Sequence, residues 1–376
     1  MVGRTGARLA FSMMPLIFLA AGARAQSGPP QHSPEGKTAA QVFKNIQVLK
    51  NIPADQLIPT MEFIAASLGV RCTFCHVEGA FQKDDKRPKR TARKMMQMMF
   101  AIDKENFGGR LVVTCDTCHN GSAHPASTPV IAAVSMPEQP LGTMHEGAKA
   151  MPPMPDHVVD QYMTAIGGQA AAAKISSRVE AGTLTAFGGR KFQVTLYQKG
   201  ADKTASYVSL PRGEMITTFN GKQGWTLGMG RPASAMNPDM EYADRVYAGL
   251  GLPQAPSTVF AHLRPALPKT IGGAETYVLL GISPGEVPVK LYFDKDSGLL
   301  VRTVTYLRTA LGLYPEERDF SDYRATDGVK IPYHITIARP GGERFTIDIN
   351  KVEQNVPISD SKFEKPAPAG GEPSSP

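Results

Sequence analysis

All four cysteines of the chain fall in two copies of one five-residue pattern, Cys72-Thr-Phe-Cys75-His76 and Cys115-Asp-Thr-Cys118-His119. C-x-x-C-H is the pattern that attaches haem c. Two thiols three positions apart each add to one vinyl group of the same porphyrin, and the histidine that follows meets the iron from the proximal side. Cysteine pairs at this spacing also serve zinc sites, dithiol redox centres and disulfides. Two copies, each completed by histidine and leaving no cysteine over, favour two covalently bound haem c groups. The chain around each motif must then wrap a flat apolar ring instead of filling its own core.

Residues 1–25 carry Arg4 and Arg8, an apolar run through Leu16-Ile-Phe-Leu19, and a small-residue end at Ala23-Arg-Ala25. That is the layout of a cleaved secretory signal. It predicts an exported, periplasmic protein, which agrees with haem c being attached outside the bacterial cytoplasm. No later run reaches the roughly 18 apolar residues of a transmembrane helix. Loss of Arg4, Arg8 and Arg24 takes the formal charge from +7 to about +4, too little to suggest a nucleic-acid partner.

The rest of the sequence predicts an α+β chain in sections. Residues 26–37 read as a disordered lead-in and 38–128 as an all-α domain holding both motifs. Residues 129–156 read as a Pro- and Met-rich linker, and its Met136, Met144, His145, Met151 and Met154 are more simply a spacer than copper ligands. Residues 157–366 read as a curved antiparallel sheet, and 367–376 as a disordered tail. The sheet is inferred from period-two segments at 191–198, 289–293, 300–306, 333–338 and 344–349, with turn signals at 294–298, 327–328 and 340–342. A helix is expected over 158–173.

A six-coordinate electron-transfer haem needs a second axial ligand, usually Met or His. The stretch 57–69 predicts a helix with Asp55 as N-cap and Gly69 as its stop. On it Met61, Ile64, Ala65 and Leu68 share a face. The stretch 91–107 predicts another helix, with Thr91 as N-cap, Gly108-Gly109 as terminator, and Met95, Met98, Met99 and Ile102 on its apolar face. From the residues alone, a methionine in such a stripe is more often packing than ligand. Each half thus repeats a Met-bearing helix followed by C-x-x-C-H, with first cysteines 43 residues apart.

Lys44-Asn-Ile-Gln-Val-Leu49, Met61, Gly69 and the first motif, then Ala92-Arg-Lys-Met-Met-Gln-Met98, Ile102 and Val113-Thr-Cys-Asp-Thr-Cys-His-Asn-Gly121, resemble the cytochrome c subunit of photosynthetic reaction centres. The resemblance covers about residues 38–128. It implies a multihaem cytochrome c fold with His76 and His119 as proximal ligands and Met61 and Met95 as distal ones, Met98 being the alternative to Met95. The family has four haem motifs and this chain has two, so its photosynthetic partner does not carry over. His124 and His32 are not placed as ligands.

Val159-Asp-Gln-Tyr-Met-Thr-Ala-Ile-Gly-Gly168 and Asp319 to Pro332 resemble, more weakly, the LolA-like periplasmic carriers that sort outer-membrane lipoproteins. That resemblance implies a half-barrel with helices and room for a lipid or other apolar small molecule; a filled scaffold serves equally. Asp319, Asp322 and His334 form no recognisable catalytic set. The leading expectation is therefore an exported dihaem cytochrome c passing single electrons between periplasmic or outer-membrane redox proteins. A dihaem peroxidase is the enzyme alternative, disfavoured by the short spacing between motifs. An apolar-ligand-binding protein with haem redox sensing is the third. The basic run from Lys83 to Lys94 serves either as a solvated loop or as a surface that steers an acidic partner.

Overall fold

In a computed structural model the described residues are 36–125, 153–211, 213–228, 231–251 and 256–367. The expected signal, most of the lead-in and linker, and the tail beyond 367 lie outside them.

The N-terminal part is helical: α1 (Ala39–Val42), α2 (Leu57–Leu68), α3 (Cys72–Cys75), α4 (Arg87–Asn106) and α5 (Cys115–His119). Gly69 ends α2 as the sequence predicts, in the left-handed conformation at φ 63°. A Cβ there would lie 2.2 Å from the Gly121 carbonyl oxygen, so the end of α2 abuts the end of the second motif as closely as glycine allows. Gly108 and Gly109 likewise follow α4 with positive φ.

Neither expected N-cap holds. A 3-10 turn over Ala54–Gln56 runs straight into α2, so Asp55 lies inside helical backbone, and the cap position falls to Gln56. Helix α4 starts at Arg87, a turn before Thr91, because Pro88 presets the first-turn backbone. Its apolar face keeps Met99 of the expected set but takes in Met96 instead of Met95 and Met98. Met96, Met99 and Asp103 are buried, while Met95 and Met98 are 39% and 48% exposed.

The expected helix over 158–173 splits into α6 (Pro155–Ala165) and α7 (Gln169–Ala172). Gly167 and Gly168 between them have φ of 119° and 90°. There the freed carbonyl of Ile166 accepts from the Lys330 amide at 2.8 Å.

The remainder is a single 13-stranded antiparallel sheet: β1 (Ser177–Thr185), β2 (Lys191–Lys199), β3 (Lys203–Leu210), β4 (Gly213–Asn220), β5 (Gly224–Gly228), β6 (Arg231–Ala235), β7 (His262–Ile271), β8 (Ala274–Ile282), β9 (Val289–Asp294), β10 (Leu300–Thr309), β11 (Gly312–Thr326), β12 (Val329–Arg339) and β13 (Glu343–Gln354). The order is 6-5-4-3-2-1-13-12-11-10-9-8-7. The chain meanders outward from the middle to β6 and restarts at the far edge with β7. Helices α8 (Pro238–Gly251) and α9 (Pro256–Val259) lie between these two edge strands in sequence. All five strands expected from period-two patterning are present.

Val158, Val159, Tyr162 and Met163 of α6 and Ile166 just after it, with Tyr242 and Val246 of α8, pack on Leu279, Leu291, Phe293 and Leu300. Over β8, β9 and β10 this face of the sheet is filled by side chains, as a scaffold requires.

A charged cluster sits between α8 and β11. Glu316 accepts from Arg318 Nε at 2.9 Å and from Arg339 Nε and Nη2 at 2.9 and 2.7 Å. Arg318 lies 3.5 Å over the Tyr247 ring. Desolvation pushes the Glu316 carboxyl up, but the two guanidiniums outweigh it and hold it below the usual value. Glu316→Gln should therefore cost about 2–3 kcal/mol in urea unfolding at neutral pH, the penalty of two partly buried cations losing their counter-charge. The wild-type advantage should vanish as pH falls below the unfolded carboxyl range, since a depressed pKa stabilises only above it.

Asp244 in the same cluster behaves oppositely. Burial pushes its carboxyl up to about 7, against the pull of Arg318. The folded chain holds this proton where the unfolded chain has lost it, so stability falls as pH rises from about 4 to 7 and then levels. Asp244→Asn should match wild type near pH 4 and exceed it by ~1–2 kcal/mol at pH 8 in the same assay; an equal slope in both proteins would refute the assignment.

Candidate haem-binding sites

The first motif is built by a helix stop and a turn. Gly69 ends α2, Val70 and Arg71 extend the chain, and α3 makes one turn in which the His76 amide donates to the Cys72 carbonyl at 3.0 Å. His76 Nδ1 is 2.9 Å from the Phe81 carbonyl oxygen. A carbonyl only accepts, so Nδ1 carries the hydrogen and Nε2 presents its lone pair. This is the tautomer an iron ligand needs, fixed by a neighbour rather than by the metal.

His119 repeats the arrangement with the Ser122 carbonyl oxygen, also at 2.9 Å. Its motif is capped by Thr114, whose Oγ1 accepts from the Thr117 amide at 3.3 Å. The loop leading into it is pinned by Asp103, whose Oδ1 accepts from the amides of Val112 and Val113 at 3.1 and 2.9 Å.

Beside the first motif is a cavity of about 480 Å³. Cys72, Cys75 and His76 line it from one side, Met61, Ile58 and Ala65 of α2 from another, and Met96 of α4 from a third. Lys44, Arg71, Lys89 and Arg93 stand in its wall against one carboxylate, Glu62. Apolar walls, two thiols, one oriented imidazole, two thioethers and a cationic surround suit a flat apolar ring bearing carboxylates. The residues present therefore fit a haem c.

Part of that positive charge also anchors the loop over the motif. Lys89 Nζ donates to the Phe81 carbonyl at 2.8 Å, and Arg93 holds Asp84 at 2.8 and 2.9 Å. Hydrogen bonds from Arg93 and then Asn45 keep the Asp84 carboxyl well below its usual range. Lys86 reaches the Thr73 carbonyl inside the motif. Basic residues from the Lys83 to Lys94 run thus hold the peptide that orients His76.

The surface expected around the second haem is exposed. Met95 and Met98, one turn apart on α4, and Leu111 and Val112, in the loop that Asp103 ties to that helix, are each 39–48% exposed. These four exposed apolar side chains are the ones a second ring would have to cover. Met95 does not line the first cavity; Met96 does. The Cys115 thiol is pushed up to about 11 by burial, the reverse of the depressed value a dithiol redox centre uses. The four cysteines are unbridged, and among the described residues no group of three or more His, Cys, Asp or Glu could hold a metal ion.

His124 is exposed. In the sheet, Asp319 pairs with Arg302, Asp322 with Arg324 and His334 with Asp348, so these residues are dispersed among separate partners. Of the linker's soft ligands only Met154 is described, and it is 71% exposed. The orienting carbonyls of Phe81 and Ser122, and the part of Met96 in the cavity, were not foreseeable from residue types, since a backbone oxygen carries no sequence signature.

A model of the photosynthetic reaction centre cytochrome C subunit family matches residues 15–179. The photosynthetic reaction center cytochrome c subunit of Thermochromatium tepidum is 31% identical over 100 residues, 26% of this chain and 25% of that protein. Cytochrome c-554 of Chloroflexus aurantiacus is 32% identical over 85 residues, 21% of this chain and 20% of that protein. The chain thus spans a quarter or less of the length of these relatives. Similar solved structures include a LolA superfamily protein from Nitrosomonas europaea, at 15% identity over 57% of this chain and 98% of that one with a TM-score of 0.38. A DUF1329 family protein from Desulfovibrio piger is 16% identical over 56% and 96%, with a TM-score of 0.37. Among the described residues no helix is long and apolar enough to cross a membrane.

Proposed function

We propose that this protein is an exported dihaem c-type cytochrome that passes single electrons between periplasmic or outer-membrane redox proteins. One observation carries the reading: Met61, Cys72, Cys75 and a tautomer-fixed His76 line a single apolar cavity. The likeness of this part to cytochrome c supports it independently.

Cys72 and Cys75 would hold the first haem and Cys115 and Cys118 the second. His76 and His119 are assigned as proximal ligands, Met61 and Met95 as distal ones, with Met98 on the same exposed stripe as the alternative to Met95. Bound haem c supplies reversible one-electron chemistry at its iron. The chain's own residues would cover the first ring with apolar side chains, orient both imidazoles through Nδ1, and set cationic side chains around the first ring. Domain limits follow the sequence reading, with 38–128 as the haem domain and 157–366 as the sheet domain.

A methionine and a histidine would together hold each iron, which would leave no open site for chemistry and separates the reading from a peroxidase. A spectropotentiometric titration tests it. Two one-electron steps, with no turnover of hydrogen peroxide beyond free haem, are expected. Sustained peroxide turnover in the purified protein would make it an enzyme instead.

A further inference from the structure

The sheet does not merely follow the haem domain; its β10–β11 hairpin is seated on the helix that carries Met61. Leu311 at the tip is fully buried and Tyr314 is 5% exposed, in one cluster with Leu57, Phe63, Ile64, Met96 and Met99. The Ala310 amide donates to Thr60 Oγ1 at 3.3 Å, and Thr60 Oγ1 donates on to the Gln56 carbonyl at 2.7 Å. Gly312, at φ 147°, leaves no room for a side chain: a Cβ would stand 2.8 Å from Phe63 Cζ and 3.6 Å from Thr114 Cγ2. The turn between β12 and β13 adds a second contact, since a Cβ on Gly341 would lie 3.6 Å from Ala66 Cα.

Helix α2 is therefore held between two surfaces. Thr60, Phe63 and Ala66 meet the hairpins, while Ile58, Met61, Glu62 and Ala65 line the cavity. On a helix, fixing one side fixes the direction of every side chain on the other. A side chain one residue from Thr60 is turned about 100° from it, so any rotation of α2 released at Thr60 swings Met61 along the cavity wall.

We propose that the β10–β11 hairpin is the positioning element for the distal methionine of the first haem, so that the sheet domain sets that haem's ligation and potential. This rests on the assignment of Met61 as ligand. Thr60 and Leu311 are positioning residues; neither lines the cavity.

The test uses the full-length holoprotein with two attached haems, read per haem. Thr60→Val keeps the shape and removes the acceptor. It should reduce the far-red methionine-to-iron absorption of the oxidised protein, at most by about half because one haem of two is affected, and lower one midpoint potential while the other stays. Leu311→Ala should do the same from the sheet side. Thr60→Ser, which restores the hydroxyl, should recover both readouts. Met61→Ala separates the two layers of the argument. If it loses the far-red absorption while Thr60→Val and Leu311→Ala leave spectra and potentials unchanged, the hairpin is ordinary packing and the proposal is wrong. If Met61→Ala itself changes nothing, the ligand assignment underneath has failed. Loss of both haems together with the fold in Thr60→Val and Leu311→Ala would also count against positioning, because a purely structural hairpin does that.

Discussion

Met61→Ala should leave two haems attached and cost the oxidised protein about half of its far-red methionine-to-iron absorption, because one of two distal thioethers is gone. The midpoint potential of that haem should fall by on the order of 100 mV, a modest part of the ~0.8 V that axial ligands command. The expectation follows from placement. Met61 is on the cavity side of α2, the thiols and imidazole of the first motif share that cavity, and the attachment chemistry lies on other residues. Met96→Ala is the informative control, since Met96 lines the same cavity from α4 and is only 7% exposed. Should Met96→Ala halve the far-red feature and Met61→Ala leave it unchanged, α4 supplies the ligand and the assignment of Met61 is wrong.

Cys72→Ser combined with Cys75→Ser should give a chain with one haem, seen as the loss of one haem mass from the intact protein, and with a damaged N-terminal part. Magnitude decides the second half of that statement. The first cavity is about 480 Å³ and partly open to solvent, so ~24 cal/mol per Å³ for an enclosed dry void sets an upper bound on the order of 10 kcal/mol if it stayed empty. That is comparable with the ~5–15 kcal/mol that holds a whole domain together. The walls must therefore close or unfold, and the helix signal and protease resistance of residues 38–128 should drop. The second haem should stay attached, because its thiols, Cys115 and Cys118, are untouched and its motif keeps its own cap at Thr114. A variant that still carried two haems would show that these thiols do not attach one.

How much of this was legible in the sequence varies with the range of the interaction that decides it. The motifs, the stop at Gly69 and strands such as Val289–Asp294 and Leu300–Thr309 are governed by local chemistry and were readable. The N-caps were not. Asp55 and Thr91 are good capping residues, but helical backbone begins earlier in both places, at Ala54 and at Arg87, where Pro88 already satisfies the first turn. On α4 the expected stripe of Met95, Met98, Met99 and Ile102 holds at Met99, but Met96 is buried in place of Met95 and Met98; all four methionines are apolar, so only tertiary packing distinguishes them. Strands such as His262–Ile271, with two prolines and mostly exposed side chains, carry no period-two signal. Least legible was the contact between Thr60 and Ala310, which are 250 positions apart. No pattern within either segment announces it.

The most direct measurement is the pyridine haemochrome assay on the purified full-length protein, read together with its oxidised and reduced absorption spectra. Two haems per chain, low-spin in both states and showing the far-red methionine band when oxidised, is the result expected of a two-site electron carrier. Fewer than two haems per chain, or a high-spin fraction whose spectrum shifts on adding cyanide or peroxide, would contradict it.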